Sequence, residues 1–401
     1  MSVFSQALVR DNDSRAAALE ASRRALAGLG GAAAEAVFVF CSDGYDAQAV
    51  MGAVDEVFGG QVPVAGCSAP GVFSGGRVTH DGVAITALAG TGIAVAPAAE
   101  MDVASDSRGR GATAVERALD ALEHAGAPSA GSRAVVVLLP DGIAGNSVEV
   151  VRGAVDVVGP ATRIAGGGSG DDLKFVSAHQ FCGGVARSGS ALAVGIAAPG
   201  PVGVSLRHGC RPAGPAMQTT AGGGRVIDGL DFGNAFERYR DVAADLGAGE
   251  VTPDSFTGFA MLHPLGLVQA GGEHVLRSPL QVTPEGSITC CSDIPPNALV
   301  RLMAGDRDSM LEATREAARE ALAQLGGRPA AGALLFGCIS RDAVLGSDAD
   351  TPSAEVQAVT EVLGSQVPVF GCLTFGGFGA LGGGLAQYHS KSVNLCVFAE
   401  S

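Results

Sequence analysis

The strongest constraint on the fold is a thirteen-residue segment that the chain contains twice. DEVFGGQVPVAGC at residues 55–67 and TEVLGSQVPVFGC at residues 360–372 are identical at nine positions. A weaker third copy lies at residues 154–168, where four residues fall 100 positions after their counterparts in the first copy: Val157, Gly159, Ala165 and Gly166. Because such self-similarity marks a chain built from repeated supersecondary units, three copies of one unit are predicted.

The residues before and within each copy predict the same local structure. Short runs rich in Val, Leu and Phe are typical of buried strands, and they occur at residues 36–40, 134–140 and 333–336. Segments with helical spacing follow them, at residues 47–58, 147–158 and 353–363. A buried strand, a crossover helix and a second buried strand form a β-α-β unit with parallel strands. The predicted fold class is therefore α/β, with repeated strand-helix-strand units that form mixed sheets.

The rest of the chain predicts a division into two related domains. Further helices are predicted at residues 14–29, 113–125, 233–246 and 309–325, the last beginning with Ser309 and Glu312 in a capping-box pattern. The segment APGPVG at residues 198–203 interrupts the periodicity midway along the chain. We therefore predict a domain over residues 1–200 with two repeat units. A domain over residues 204–401 would contain the third unit, preceded by a β-rich segment.

Charge and hydropathy exclude two classes of partner. The 26 basic and 41 acidic residues give a net charge of −15, so phosphate backbones and anionic membranes would repel the chain. No apolar run is long enough to cross a bilayer, and the first residues carry charges where a signal peptide would be apolar. A cytoplasmic protein that neither binds nucleic acid nor inserts into membranes is expected.

The nine cysteines are expected to be reduced thiols. Their number is odd, and no C-x-x-C or paired Cys/His spacing points to a zinc site. Cys67 and Cys372 occupy the same position in two copies of the motif, whereas Gly167 stands there in the other copy. Since no histidine lies within the motif to act as a base, packing or ligand contact is favoured over nucleophilic catalysis.

Other polar residues leave several functions open. His80 and His389 occupy nearly equivalent places in their repeats, and either one is a candidate ligand for a metal or haem. Acidic and basic side chains lie near predicted strand ends, where α/β proteins place their ligands: Asp141, Asp171, Asp172 and Arg341. No complete set of acid, base and nucleophile emerges from them, so an enzyme is not expected. The glycine-rich segments at residues 166–172 and 222–229 match no nucleotide-binding fingerprint.

The order of these motifs resembles that of FIST domain proteins, which carry a FIST N and a FIST C domain. The resemblance rests on VPVAGCSAPG, on PAGPAMQTTAGGGRVIDGLDFGNAFERY at residues 212–239, on LLFGCISR with Cys338 and Arg341, and on VPVFGCLTFG followed by YHSKS. It spans roughly residues 30 to 401. It implies a ligand-sensing module that acts beside two-component signalling proteins.

The resemblance also implies candidate site residues and a cofactor. Free-standing FIST proteins include haem-binding nitric-oxide sensors that regulate histidine kinases. By this resemblance His389, and less readily His80 or a cysteine, would be an axial ligand of haem b, and the partner would be a histidine kinase. Residues of the shared motifs are predicted to contact the ligand: Gly66, Cys67, Gly166, Cys338, Arg341, Gly371 and Cys372.

Departures from the family pattern favour an apolar ligand over an amino acid. The family's Gly-Glu-Ile carboxylate is absent, because Val72 follows Gly71 and Gly377 follows Gly376. Loss of this carboxylate weakens the proposal that it holds the ammonium group of an amino acid, and it makes an apolar ligand such as haem easier to accept. The alternative is a non-haem sensor that binds an amino acid or other small metabolite in a cleft between repeats.

Overall fold

The computed structural model describes residues 3–160, 162–247, 249–346 and 352–400. These residues form two compact units. The first comprises the described parts of residues 1–207, 314–388 and 392–401, and the second comprises those of residues 208–313 and 389–391. The predicted domains of residues 1–200 and 204–401 stay a prediction. The compact units are defined by contacts between residues, whereas the predicted domains are defined by repeated sequence, so the one division does not test the other. No helix in the described ranges is long and apolar enough to cross a membrane.

The first unit consists of three repeats that share the order strand, helix, strand, helix and four further strands. Repeat 1 contains β1 (Val3–Val9), α1 (Ser14–Ala27), β2 (Ala36–Ser42), α2 (Ala47–Phe58), β3 (Val64–Ala69), β4 (Val72–Ser74), β5 (Arg77–Thr79) and β6 (Val83–Ala89). Repeat 2 contains β7 (Ala94–Met101), α3 (Ser107–His124), β8 (Ala134–Leu138), α4 (Ser147–Val158), β9 (Arg163–Gly166), β10 (Gln180–Cys182), β11 (Val185–Arg187) and β12 (Ser190–Ala197), with a 3₁₀ turn at Gly131–Arg133. Repeat 3 begins with β13 (Val202–Arg207), after which the chain enters the second unit.

The second unit is an antiparallel sheet with two helices of its own. Its elements are β14 (Arg211–Gly223), β15 (Val226–Leu230), β16 (Gly233–Asn234), α5 (Ala235–Asp245), α6 (Pro253–Leu262), β17 (Leu265–Val268), β18 (His274–Arg277), β19 (Pro279–Val282), β20 (Ile288–Cys290) and β21 (Leu299–Ala304). The strand order is β18-β17-β21-β14-β15-β20-β19, and β16 pairs with β15. Tyr239 and Phe256 pack edge to face in its core, with ring centroids 5.2 Å apart.

The chain returns to repeat 3 along a long helix. The remaining elements are α7 (Arg307–Ala323), β22 (Ala330–Cys338), α8 (Ile339–Leu345), α9 (Ala354–Leu363), β23 (Val369–Thr374), β24 (Gly377–Gly379), β25 (Gln387–His389) and β26 (Val393–Ala399). The short α8 has no counterpart among the elements of repeats 1 and 2. The second unit is therefore an insertion between the first strand and the first helix of repeat 3.

The three repeats build sheets of the same topology. Their strand orders are β1-β6-β2-β3, β7-β12-β8-β9 and β13-β26-β22-β23. The pairs β2/β3, β8/β9 and β22/β23 are parallel, which confirms the parallel β-α-β units predicted from the sequence. The α/β fold class with mixed sheets is confirmed in the same way.

Each of two sheets is extended by a hairpin from a different repeat. The β4–β5 hairpin of repeat 1 pairs with β23 of repeat 3, and the β10–β11 hairpin of repeat 2 pairs with β3 of repeat 1. The β24–β25 ribbon of repeat 3 forms a separate pair, and β24 lies against β9 of repeat 2. These exchanges tie the repeats together, because the sheets of repeats 1 and 3 each include a hairpin from another repeat.

Side chains from all three repeats share one apolar core. The inward faces of the central strands meet there, with Phe38 and Cys67 from repeat 1, Val137 from repeat 2, and Phe336 and Cys372 from repeat 3. Helices cover the outward faces: α1 and α2 on the first sheet, and α7 and α9 on the third. Strands buried on both faces explain the continuous apolar runs in the sequence.

Most predicted helices are confirmed, and two starts are corrected. The helix predicted from residue 113 begins at Ser107, where the Asp106 carboxylate accepts the Gly109 N–H. The helices predicted at residues 47–58 and 147–158 have those bounds. The helix predicted from Ser309 begins at Arg307, because the Asp306 carboxylate accepts the Ser309 N–H and the Ser309 hydroxyl accepts the Asp306 N–H. Ser309 is thus the fourth residue of the capping box and not its first. The helices α6 and α8 were not predicted.

Candidate functional site

The repeated motif brings three strand ends together in the middle of the first unit. Backbone hydrogen bonds link the ends in a closed ring: Gly170 N–H to Ser68 O at 3.3 Å, Phe375 N–H to Gly168 O at 2.8 Å, and Leu373 N–H to Gly71 O at 2.8 Å. Each bond joins two different repeats. The motif therefore recurs because each copy contributes one segment to this ring.

The motif glycines are required by the close approach of parallel strands. Gly66, Gly166 and Gly371 have φ values of +155°, +115° and +143°. A Cβ atom on them would lie 1.7 Å from Val39 O, 2.1 Å from Leu138 O and 1.9 Å from Leu335 O, respectively. These glycines thus have a backbone reason to be glycine. Their predicted contact with a ligand stays a prediction.

The two motif cysteines face each other inside the core. Cys67 and Cys372 are fully buried, and their sulfur atoms lie 4.0 Å apart. Burial raises the pKa of the Cys372 thiol well above its ordinary value, so this group stays protonated and is a poor nucleophile. Cys338 is also buried, with its sulfur 3.2 Å from Ser340 Oγ. All three environments are those of packing residues.

Arg341 forms a buried ion pair within repeat 3. Its side chain is fully buried, and Nε donates to Glu355 Oε1 at 2.8 Å while Nη2 donates to Thr314 Oγ1 at 2.8 Å. Glu355 is itself 3% exposed in the side chain. A ligand contact for Arg341, which stays a prediction, would require this pair to open, and breaking a buried pair is strongly unfavourable.

His80 joins charged groups from all three repeats. Its Nδ1 lies 2.8 Å from Pro70 O and 3.5 Å from Asp172 of repeat 2, and its Nε2 lies 2.9 Å from Asp342 of repeat 3. The hydrogen bond with Asp342 raises the pKa of His80 to about 9. The imidazole is therefore a cation at neutral pH, and both ring nitrogens are engaged.

The environment of His80 does not fit the axial ligand of a haem. A haem ligand must offer a neutral ring nitrogen, and His80 is protonated with hydrogen bonds on both sides. His389 is 1% exposed and belongs to the second unit. Within the described ranges, no group of three or more His, Cys, Asp or Glu residues could hold a metal ion. Haem b with His389 as its ligand stays a prediction, and the environment of His80 does not support His80 in that role.

Asp141 and Asp171, considered from the sequence as possible catalytic acids, organise loops. The Asp171 carboxylate accepts four backbone N–H groups, from residues 174 to 177. Asp141 accepts the N–H groups of Ile143, Ala144 and Gly189. Since both carboxylates are buried and satisfied by backbone donors, they shape the ends of β8 and β9.

A cavity of about 610 Å³ opens elsewhere in the first unit. It lies between repeats 2 and 3, where the α4–β9 turn, β13, the end of α7 and the loop before β25 surround it. Its polar walls are formed by Thr162, Arg163, Ser205, Arg207, Glu320 and Gln324, and its apolar walls by Pro160, Ile164, Val204, Ala323, Ala380, Leu385 and Ala386. None of the nine predicted site residues lines this cavity.

The polar groups of the cavity are positioned by the edge of the third sheet. Gln324 donates to Val204 O at 2.8 Å and accepts the Val204 N–H at 3.1 Å, so its amide imitates a neighbouring strand along β13. Arg207 forms an ion pair with Glu320. Arg163 Nη1 donates to Val202 O at 2.5 Å. Single polar residues beside a strand carry no sequence signature, so sequence reasoning missed them.

The fold and the cavity define an α/β protein of three repeats with a ligand-sized cleft between two of them. The sequence matches the FIST N domain family over residues 35–231 and the FIST C domain family over residues 235–380. The chain therefore belongs to the FIST domain proteins. FIST domains are small-ligand-sensing domains of signalling proteins, which gives the chain a sensor role in signal transduction.

Comparisons with other proteins add no functional assignment. The chain is similar to a crystal structure of cyanuric acid hydrolase from A. caulinodans, with a TM-score of 0.40, 10% identity and 100% of both chains covered. It is also similar to a chorismatase crystal structure, with a TM-score of 0.37, 10% identity, and 99% of this chain and 98% of the other covered. Curated proteins gave no match.

Proposed function

We propose that the protein is a cytoplasmic sensor that binds a small non-haem metabolite and regulates a signalling partner such as a histidine kinase. The observation that carries this proposal is the cavity of about 610 Å³ between repeats 2 and 3. Its volume falls in the range of small-molecule sites, and its wall combines apolar surface with a few fixed polar groups. We propose no enzymatic activity.

The separation of the cavity from the buried motif residues favours a metabolite over haem. The two candidate haem ligands do not line the cavity, and neither does any cysteine. A porphyrin would need an axial ligand from this chain. The polar groups present are guanidinium, carboxylate, amide and hydroxyl groups, which bind small polar molecules by hydrogen bonds and charge.

A thermal-shift screen of haem-free protein against a metabolite library tests this proposal. Binding to the folded state raises Tm by mass action, so at least one small molecule is expected to raise it in a concentration-dependent way. Haem is titrated in parallel and followed by absorbance. A Soret band that shifts with nitric oxide, together with no response to any metabolite, would contradict the proposal and support the haem sensor.

One exposed loop supports the proposal of a protein partner. Leu173, Phe175 and Val176 are 48%, 53% and 78% exposed, although all three are apolar. Their loop is wound around the Asp171 carboxylate, so its shape is fixed before any partner arrives. Preorganised apolar side chains are typical of protein-binding surfaces. The neighbouring cation Lys174 is paired with Asp43, so we expect the partner to recognise this loop chiefly through its apolar side chains.

A further inference from the structure

The charges around the cavity distinguish classes of ligand. Three ionisable side chains line it: Arg163, Arg207 and Glu320. Arg207 and Glu320 form an ion pair with each other, so their charges cancel. Within the described part of the chain no carboxylate pairs with Arg163, whose recorded hydrogen bond is to the carbonyl of Val202. The lining therefore carries one uncompensated positive charge.

A ligand with one negative charge would neutralise the single positive charge of the lining. A guanidinium keeps its charge at all physiological pH values and presents several N–H donors in a planar fork, which suits a carboxylate. Because Nη1 of Arg163 is engaged with Val202 O, the orientation of the guanidinium is fixed before a ligand binds. A free amino acid would bring an ammonium group as well, and the Glu320 carboxylate that could receive it is occupied by Arg207.

The apolar residues of the lining indicate the chemistry of the remainder of the ligand. Ile164, Val204, Leu385 and several alanines line the same cavity as Arg163. Leu385 is 52% exposed, so a ligand that covered it would remove apolar surface from water. An anion with an apolar body satisfies both parts of the lining.

We infer that the cavity binds a small monocarboxylate with an apolar body and no ammonium group, and that Arg163 holds the carboxylate. This inference rests on the proposed function and specifies its ligand class. The site is distinct from the ring of strand ends and from His80 and Arg341, although Arg163 itself belongs to the third copy of the repeated motif. It assigns a binding role to residues of the β9 and β13 strands that the sequence did not single out.

Three probes of the same length separate the ligand classes: hexanoate, hexanamide and norleucine. Hexanamide lacks the charge, and norleucine adds an α-ammonium group to hexanoate. Calorimetric titration is expected to show hexanoate binding at least about tenfold more tightly than either of the others, since a hydrogen bond to a charged group is the stronger kind. Inorganic phosphate, which carries more charge than the lining balances, is expected to compete weakly.

Variants of Arg163 identify the anchor. Arg163→Gln is expected to remove the preference for hexanoate over hexanamide, whereas Arg163→Lys retains the charge and most of the preference. Arg152→Gln is the matched control, because Arg152 is an exposed arginine of α4 paired with Glu149. Circular dichroism and Tm check that each variant is folded, and Arg163→Lys keeps the test valid if Arg163→Gln is unstable.

The outcomes separate this inference from the proposed function. If norleucine or hexanamide binds as tightly as hexanoate, or if Arg163→Gln leaves the preference unchanged, the inference is overturned while a metabolite sensor remains. If phosphate outcompetes hexanoate, the inference is also overturned in favour of a phosphate site. If no metabolite of any class binds the folded protein, both proposals fall together.

Discussion

Single residues in the repeated motif explain why it recurs. Gly66 and its two counterparts stand where a strand passes so close to the carbonyl of its parallel neighbour that no Cβ fits. Cys67 and Cys372 fill the core beside them. The glycines and cysteines at the end of the motif thus serve the packing of three strand ends, whereas an earlier part of the third copy, with Gly159, Arg163 and Ile164, lines the cavity.

We expect Gly66→Ala to destabilise the fold severely. Its Cβ would lie 1.7 Å from Val39 O, so the strands must separate or the backbone must shift. Overpacking and backbone strain of this kind together cost about 3 kcal/mol or more. Gly60→Ala is the control from the same motif, since Gly60 has no positive φ and a Cβ there would meet only Asp55 Oδ1, at an ordinary contact distance of 3.6 Å. It is expected to cost far less than Gly66→Ala. Equal losses of unfolding free energy in urea would contradict this account.

His80 is expected to make stability depend on pH. The folded-state pKa of about 9 lies above the ordinary value of 6.5, so the protonated ring stabilises the folded state. This contribution is complete below about pH 6.5 and is lost as the pH rises through about 9. The free energy of unfolding of the wild type should therefore fall over this window more steeply than that of His80→Gln. Parallel curves for the two proteins would show that the contacts of His80 with Asp342 and Asp172 contribute nothing.

Elements with strong local signals were predictable, and those without were not. The helices α2 and α4 have their predicted bounds because an apolar stripe, an asparagine or aspartate cap and a closing glycine all agree. The seven-residue α8 is too short to show periodicity. The exchange of hairpins between repeats could not be predicted from the sequence for a different reason. Pairing of β4 with β23 joins residues some 300 positions apart, as between Phe73 and Gly371, and no local pattern specifies it.

The candidate site was less predictable than the fold. The ligand contact predicted for Arg341 and the haem contact predicted for His80 stay predictions, and the structure places Arg341 in a buried ion pair and His80 in a charged cluster. The residues of the cavity belong to three separate segments and to the end of α7. Their charges become informative only when the fold shows which carboxylate neutralises which guanidinium.

The exposed loop after β9 should be needed for signalling and not for ligand binding. Replacing Leu173 and Val176 together by serine removes two of its exposed apolar groups while leaving the Asp171 hydrogen bonds and the contact of the Phe175 ring with Phe375 in place. This variant is expected to bind metabolites normally and to lose its effect on autophosphorylation of a histidine kinase that responds to the wild type. Val185→Ser, at an exposed apolar position in β11, is the control and should keep the effect. Full activity of the double variant would rule the loop out as the partner surface.

The whole first unit is one threefold repeated scaffold in which two equivalent helices have different surroundings. Ala323 ends α7 and lines the cavity, whereas Ala27 ends the corresponding helix α1 and does not. Both alanines are exposed, so each tolerates a larger side chain without disturbing a core. The pair offers a direct comparison of a position at the cavity with its counterpart away from it.

The most direct test of a metabolite sensor is calorimetric titration of the tightest-binding metabolite into the wild type, Ala323→Trp and Ala27→Trp. The indole at position 323 would fill part of the cavity, so Ala323→Trp is expected to weaken binding at least about tenfold, a loss of about 1.4 kcal/mol. Ala27→Trp should bind as the wild type does, with one site per chain. Unchanged binding to a folded Ala323→Trp protein would place the ligand elsewhere and contradict the account.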